Sequence, residues 1–117
     1  MFDFQDLHVY KKSLDFNRRV ESILRRPSID PNFRNQLKRA AFSILLNIAE
    51  GTGRFTKADR KHFYVMARAS VYECVAVMDY FKLMKLVNED QIDLYMNSLE
   101  EISKMLFSLI KTTLGRD

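Results

Sequence analysis

FYVMARASVYECVAVMDYF, residues 63–81, carries the clearest periodic signal in the chain. Phe63, Met66, Ala67, Ser70, Val71, Cys74, Val77, Met78 and Phe81 recur at steps of three and four, the spacing that lines one face of an α-helix. A strand would alternate in steps of two, and no segment sustains that period. Just upstream, TKAD sets Thr56 as N-cap with Asp59 three residues on, a capping box with Asp in place of the usual Glu or Gln. These signals predict a helix over about 57–85.

Outward from it, three further helices follow from the same two signals. Pro31 opens a second segment in which Phe33, Leu37, Ala40, Ala41, Ile44, Leu45 and Ile48 form a dense apolar face. A helix is expected there over about 32–50, with Gly51 as the left-handed residue that closes it. The small pair Ala40 and Ala41 would let another helix approach closely. Downstream, LVNEDQ sets Asn88 as N-cap with acidic residues in the first turn and Gln91 at the capping-box position. Ile92, Tyr95, Leu99, Ile102, Leu106, Leu109 and Leu114 continue the pattern, predicting a helix over about 89–114 with Gly115 closing it. At the other end, Val9, Phe16, Val20 and Ile23, with Leu7, Tyr10 and Leu14 beside them, predict a helix over about 5–25, capped by Asp3 or Asp6. RRPSIDP then breaks the chain, because residues before proline are disfavoured in the helical region.

Short connections favour antiparallel neighbours, so the expected fold is all-α, an up-down-up-down four-helix bundle in a single domain over residues 1–117. Three glycines and two prolines supply too few turns for a fold of many short strands. The N-terminal MFDFQDLHVYKK lacks a basic region followed by an apolar one, and no apolar run approaches the roughly 20 residues of a membrane span. One cysteine, Cys74, rules out an internal disulfide framework. The expected setting is cytoplasmic, with no membrane partner.

The charge is uneven. Residues 1–68 hold 14 Lys or Arg against 7 Asp or Glu, and residues 69–117 hold 5 against 8. Such a split suits an anionic partner or head-to-tail self-association. Arg54, Lys57, Arg60 and Lys61 gather at the expected start of the third helix, where free N–H groups and the helix dipole add to their field. Lys11, Lys12, Arg18 and Arg19 form a second basic group on the first helix.

NIAEGTGR, residues 47–54, poses a different question, because polar and charged residues interrupt an apolar helix there. Arg39, Ser43, Asn47 and Glu50 lie at spacings of three and four and so form one stripe. A catalytic reading makes Glu50 a general base with Arg39 or Arg54 as an electrostatic clamp. A structural reading joins the stripe to Arg68 and Glu73 across the next helix in a polar network. No nucleophile–base–orienter set completes the catalytic reading, so the structural one is preferred and no catalytic residue is assigned. His8 and His62 stand alone, without the spacing of a metal site, and no metal or cofactor is expected. Cys74 sits on the apolar stripe as a core residue. GTG has no phosphate-loop continuation.

Several stretches resemble the four helix bundle protein family, first noticed in open reading frames within intervening sequences of bacterial 23S ribosomal RNA genes. FQDLHVYKKSLDF is similar to its opening, QLKRAAFSILLNIAEGTGR to its most specific run, and FYVMARASVYE to a later stretch. Tyr10, Leu45 and Ala69 stand where the family commonly has Trp, Pro and Gly. The resemblance implies a bundle that assembles as a ring, typically a homopentamer, with no established enzymatic activity. It also implies a distant likeness to the accessory protein of diversity-generating retroelements, which shares the ring and binds nucleic acid and a reverse transcriptase. The expected function is therefore a non-enzymatic homo-oligomer that binds RNA or DNA through its basic surfaces. The alternative is a protein scaffold, or an accessory subunit such as that of a reverse transcriptase, without nucleic-acid contact.

Overall fold

A computed structural model describes residues 2–115. A 3-10 turn at Asp3–Asp6 leads into α1 (His8–Arg19) and α2 (Glu21–Leu24), followed by α3 (Pro31–Thr52), α4 (Lys57–Leu83) and α5 (Glu89–Gly115). There is no strand among the described residues. α3 packs on α4, α4 on α5, and α1 lies against both α3 and α5, so the long helices follow one another around the bundle. With α2 continuing the arm of α1, the result is a four-helix bundle measuring 49 × 22 × 21 Å.

The local signals act as the residue types require. Thr56 Oγ1 accepts from the Asp59 N–H at 3.1 Å, and Asp30 Oδ1 accepts from the Asn32 N–H at 2.7 Å with Pro31 in the first turn. Asn88 Oδ1 accepts from the Asp90 N–H at 2.8 Å at the start of α5. Gln91 does not complete a capping box there. Its amide donates to the Tyr95 hydroxyl at 3.0 Å and its carbonyl accepts from Arg26 at 2.9 Å, which ties α5 to the end of α2.

The arm over residues 5–25 is not one continuous helix. Leu7 is extended (φ −69°, ψ 129°), which separates the 3-10 turn from α1. Between α1 and α2 the Tyr95 hydroxyl donates to the Arg19 carbonyl at 3.0 Å, while the Ile23 N–H turns to the Val20 carbonyl at 2.9 Å. A side chain inserted into the helical ladder breaks it for one residue.

The core runs the length of the bundle. Phe16, Ile23, Leu37, Ile44, Ile48, Met78, Phe81, Ile92, Leu99, Ile102 and Leu106 are all fully buried. Ala40 and Ala41 are buried where α1 comes close enough for the Asn17 amide to donate to the Ala41 carbonyl at 2.8 Å. Four residues expected on the apolar faces stand out from the core instead: Leu14, Phe33, Met66 and Leu114 are each more than a third exposed. Cys74 is wholly buried, as its stripe predicts.

Gly51 does not end α3. The helix continues through Thr52, and Gly53 follows with ordinary right-handed angles (φ −80°). Gly51 is buried, and a Cβ on it would lie 2.9 Å from Tyr64 Cε1, so the glycine is required by the approach of that ring. α4 ends differently. Lys85 takes φ 57°, the Leu86 N–H reaches the Phe81 carbonyl at 2.9 Å, and the Lys85 N–H reaches that of Lys82 at 3.1 Å. That paired closure normally uses glycine at the left-handed position.

Candidate nucleic-acid interface

The turn from α3 to α4 brings Arg54, Lys57, Arg60 and Lys61 to one end of the bundle. Thr56 opens α4 there, and its first-turn N–H groups bring the positive end of the helix dipole to the same place. Two of the cations also hold the turn. Arg60 Nη1 donates to the carbonyls of Arg54 and Phe55 at 2.9 and 2.8 Å. The Arg54 guanidinium lies 4.5 Å over the Phe63 ring and 3.8 Å from the Glu50 carboxylate, an exposed pair of small energetic weight. Lys61 is exposed to solvent and Lys57 is partly buried at the first position of α4.

Phe55 sits in the middle of this end and is 97% exposed. An apolar residue just before the N-cap commonly packs on the fourth helical residue. That residue here is Arg60, which is turned back onto the loop, so nothing covers the ring. The apolar letter between Arg54 and Thr56, outside every helical stripe, was the sequence signal for it.

The second basic group is more dispersed. Lys12 is paired with Glu101 on α5, and the Lys12 ammonium holds the Glu101 carboxyl below the usual carboxylate range. Arg18 and Arg19 both face Asp15, at 2.6 and 3.0 Å, and the Arg18 hydrogen bond is the main cause of a lowered Asp15 pKa. Lys11 is exposed on α1.

The polar stripe of α3 is only partly gathered. The Asn47 amide donates to the Ser43 carbonyl and hydroxyl, both at 2.9 Å, and Ser43 shares a hydrogen bond of 2.9 Å with the Ser70 hydroxyl. Ser70 also donates to the Met66 carbonyl at 3.2 Å, so the three side chains pin α3 to α4. In the sequence Ser70 stands only as part of an apolar stripe. Arg39 and Glu50 flank a shallow groove on the outside of α3. Arg68 turns the other way, toward α5, and donates to the Tyr72 hydroxyl at 3.2 Å. Glu73 lies beside Phe33, Gln36 and Tyr80 in a separate groove. The hydroxyl of Thr52 meets that of Tyr64 at 2.9 Å, completing the motif's structural contacts.

His8 and His62 lie on separate exposed helix surfaces, and no cluster of three His, Cys, Asp or Glu side chains arranged for a metal occurs among the described residues. Nor is any helix among those residues long and apolar enough to cross a membrane.

Residues 5–108 match the family model of the 23S rRNA-intervening sequence protein. The chain belongs to that family. No curated protein matches it. The crystal structure, at 1.70 Å resolution, of a protein of unknown function from the S23 ribosomal protein family of Bacteroides thetaiotaomicron has a TM-score of 0.84 to this chain. That likeness spans 88% of this chain and 98% of the other at 24% identity, and it bears on the fold alone.

Proposed function

We propose that this member of the family is a non-enzymatic, cytoplasmic homo-oligomer, a pentameric ring, that binds RNA or DNA through its basic surfaces. The observation that carries the reading is the convergence of Arg54, Lys57, Arg60 and Lys61 on the N-terminal end of α4. Backbone N–H groups and several cations at one end favour phosphate oxygens, and repetition around a ring multiplies the field. Contact is phosphate-directed, since no base-reading motif is present. Phe55 adds an exposed ring on which an unpaired base can stack. The non-enzymatic part rests on Glu50, which is exposed and paired with Arg54 at 3.8 Å.

The test is binding to mixed-sequence RNA and DNA over a salt series, with wild type and the double variant Lys57→Glu plus Lys61→Glu. Affinity should fall steeply with salt, and the variant should bind more weakly with a slope shallower by about one for each phosphate contact removed. Negligible binding to both nucleic acids at low salt would defeat the proposal. A second reading, a scaffold or accessory subunit for another protein such as a reverse transcriptase, draws on the exposed apolar residues of α3 to α5. Co-purification of one discrete protein, unchanged by the same double variant, would favour it.

A further inference from the structure

Two apolar faces of the bundle lack a partner, and they differ in chemistry. The first lies on α3, where Phe42 and Leu46 are about half exposed (51% and 50%) between Arg39 on one side and Glu50 on the other. The second is a groove between α4 and α5 lined by Val65, Ala69, Tyr72, Phe107 and Ile110, with Arg68 inside it. The Arg68 guanidinium lies 5.1 Å from the Tyr72 ring and 5.6 Å from the Phe107 ring, and its Nε is buried without a hydrogen-bond partner. Lys111 lies 5.6 Å over the same Phe107 ring. A partly buried cation with an unmet donor favours a carboxylate brought alongside.

We infer that the α3 face of one copy seats in the α4–α5 groove of a second copy held in the same orientation, with Glu50 meeting Arg68 and Lys111. This rests on the homo-oligomeric part of the reading above and names the surfaces that would build it.

The orientation follows from charge. Ser43 bonds Ser70 across the α3–α4 seam, and Arg68 lies over Phe107 across the α4–α5 seam, which fixes the relative heights of the three helices. α3 and α5 run the same way. Arg39, one turn before Ser43, is therefore level with Glu100, two turns before Phe107; Glu50 is level with Lys111, by the same reckoning. Copies side by side in the same orientation set Arg39 against Glu100 of the neighbouring copy and Glu50 against its Arg68 and Lys111. Reversed copies would oppose Glu50 to Glu100 and Arg39 to Lys111. The two faces are also unlike, and lie on neighbouring rather than opposite sides of the bundle, because the α3 face borders the α3–α4 seam through Ser43. A contact between unlike faces on neighbouring sides turns with each added copy, the head-to-tail kind of contact that builds a ring where the rotation closes.

The test uses Leu46→Asp and Phe107→Asp, both at half-exposed positions, with nucleic acid removed, helical content checked by circular dichroism and mass measured by sedimentation. Wild type should assemble, each variant alone should sediment as one chain, and their equimolar mixture should give a particle of two chains. That last result arises because one intact α3 face and one intact groove remain, one on each variant. A single-chain wild type, a variant that keeps the assembled mass, or a mixture that stays at one chain would each overturn the inference. Should either variant lose its helical signal, a charge exchange decides instead. Glu50→Lys should weaken assembly about tenfold or more. Arg68→Glu with Lys111→Glu should do the same, and all three changes in one chain should restore it; no restoration overturns the pairing. Since mass is read without nucleic acid, failure here leaves the phosphate-binding reading standing, and failure of that reading leaves this result unaffected.

Discussion

The Tyr64 ring lies so close to Gly51 that a Cβ there would stand 2.9 Å from Cε1 and 3.0 Å from Cδ1. The ring is held in place, because its hydroxyl is bonded to Thr52 at 2.9 Å and its residue is 3% exposed. Gly51→Ala should therefore destabilise the protein by about 1–3 kcal/mol, the range of an overpacked core. Gly53→Ala should differ in sign. Its φ is −80° and the nearest atom to an added Cβ is a carbonyl oxygen at 3.5 Å, so alanine should gain about 0.5 kcal/mol from a less flexible unfolded chain. Chemical denaturation of the two variants checks both, and equal losses would show that the two glycines serve the same purpose after all.

Tyr95→Phe removes the hydroxyl that occupies the Arg19 carbonyl. The Gln91 amide, which donates to the same hydroxyl at 3.0 Å, keeps only the longer bond of 3.3 Å to the Ser22 hydroxyl. A loss of about 1 kcal/mol is expected, with an unchanged denaturant slope because the surface exposed on unfolding is the same. The Arg19 carbonyl is then open to the Ile23 N–H, so amide exchange at Ile23 should change more than at other core amides. An Ile23 amide no more affected than that of Leu99 would show that the hydroxyl does not cause the break.

The contrast between the long helices and the α1–α2 arm shows which features are written locally. α4 was legible from its three-four stripe and the Thr56 cap, both of which involve residues within a few positions of each other. The break after Arg19 was not, because its cause is a tyrosine 76 residues further along the chain and Val20 carries no glycine or proline to mark it. Gly51 misled for the same reason: a glycine near a helix end reads as a cap, and only the approach of Tyr64 from α4 shows otherwise. At the candidate interface, the cluster of cations was legible, but not that Arg60 and Arg54 also hold the turn. Phe42, Leu46 and Phe107 do not stand out in the sequence because they lie off the dense apolar stripes, where exposure depends on which neighbours the bundle supplies.

Burial pushes the Cys74 thiol from its ordinary 9.0 up to about 12, with the Glu73 carboxylate adding to the effect. A native sample at pH 8 should therefore leave Cys74 unmodified by a thiol reagent over hours, and the same sample in denaturant should react fully. The sign for stability follows from the raised native value. Below pH 9 both states hold the proton and stability is unaffected by this group. Between pH 9 and 12 the unfolded chain ionises first, so stability should fall by up to about 1.4 kcal/mol per pH unit from this thiol. Rapid native labelling at pH 8 would contradict the burial of Cys74.

Lys85 ends α4 in a conformation that suits glycine. At φ 57° its Cβ crowds the following carbonyl, a cost of about 1 kcal/mol for a residue with a side chain. The backbone closure does not need that side chain, since the Leu86 and Lys85 N–H groups reach the Phe81 and Lys82 carbonyls directly. Val87, two residues on, is buried against the core, so the turn is held by packing that the substitution leaves in place. Lys85→Gly should therefore raise stability by about 0.5–1 kcal/mol, less than the full relief because glycine loses more freedom on folding. Lys85→Val should lower it, because a branched side chain fits the left-handed region worst. Thermal melts of the three proteins should rank glycine, lysine, valine; valine at or above lysine would mean that the strained turn is not maintained in solution.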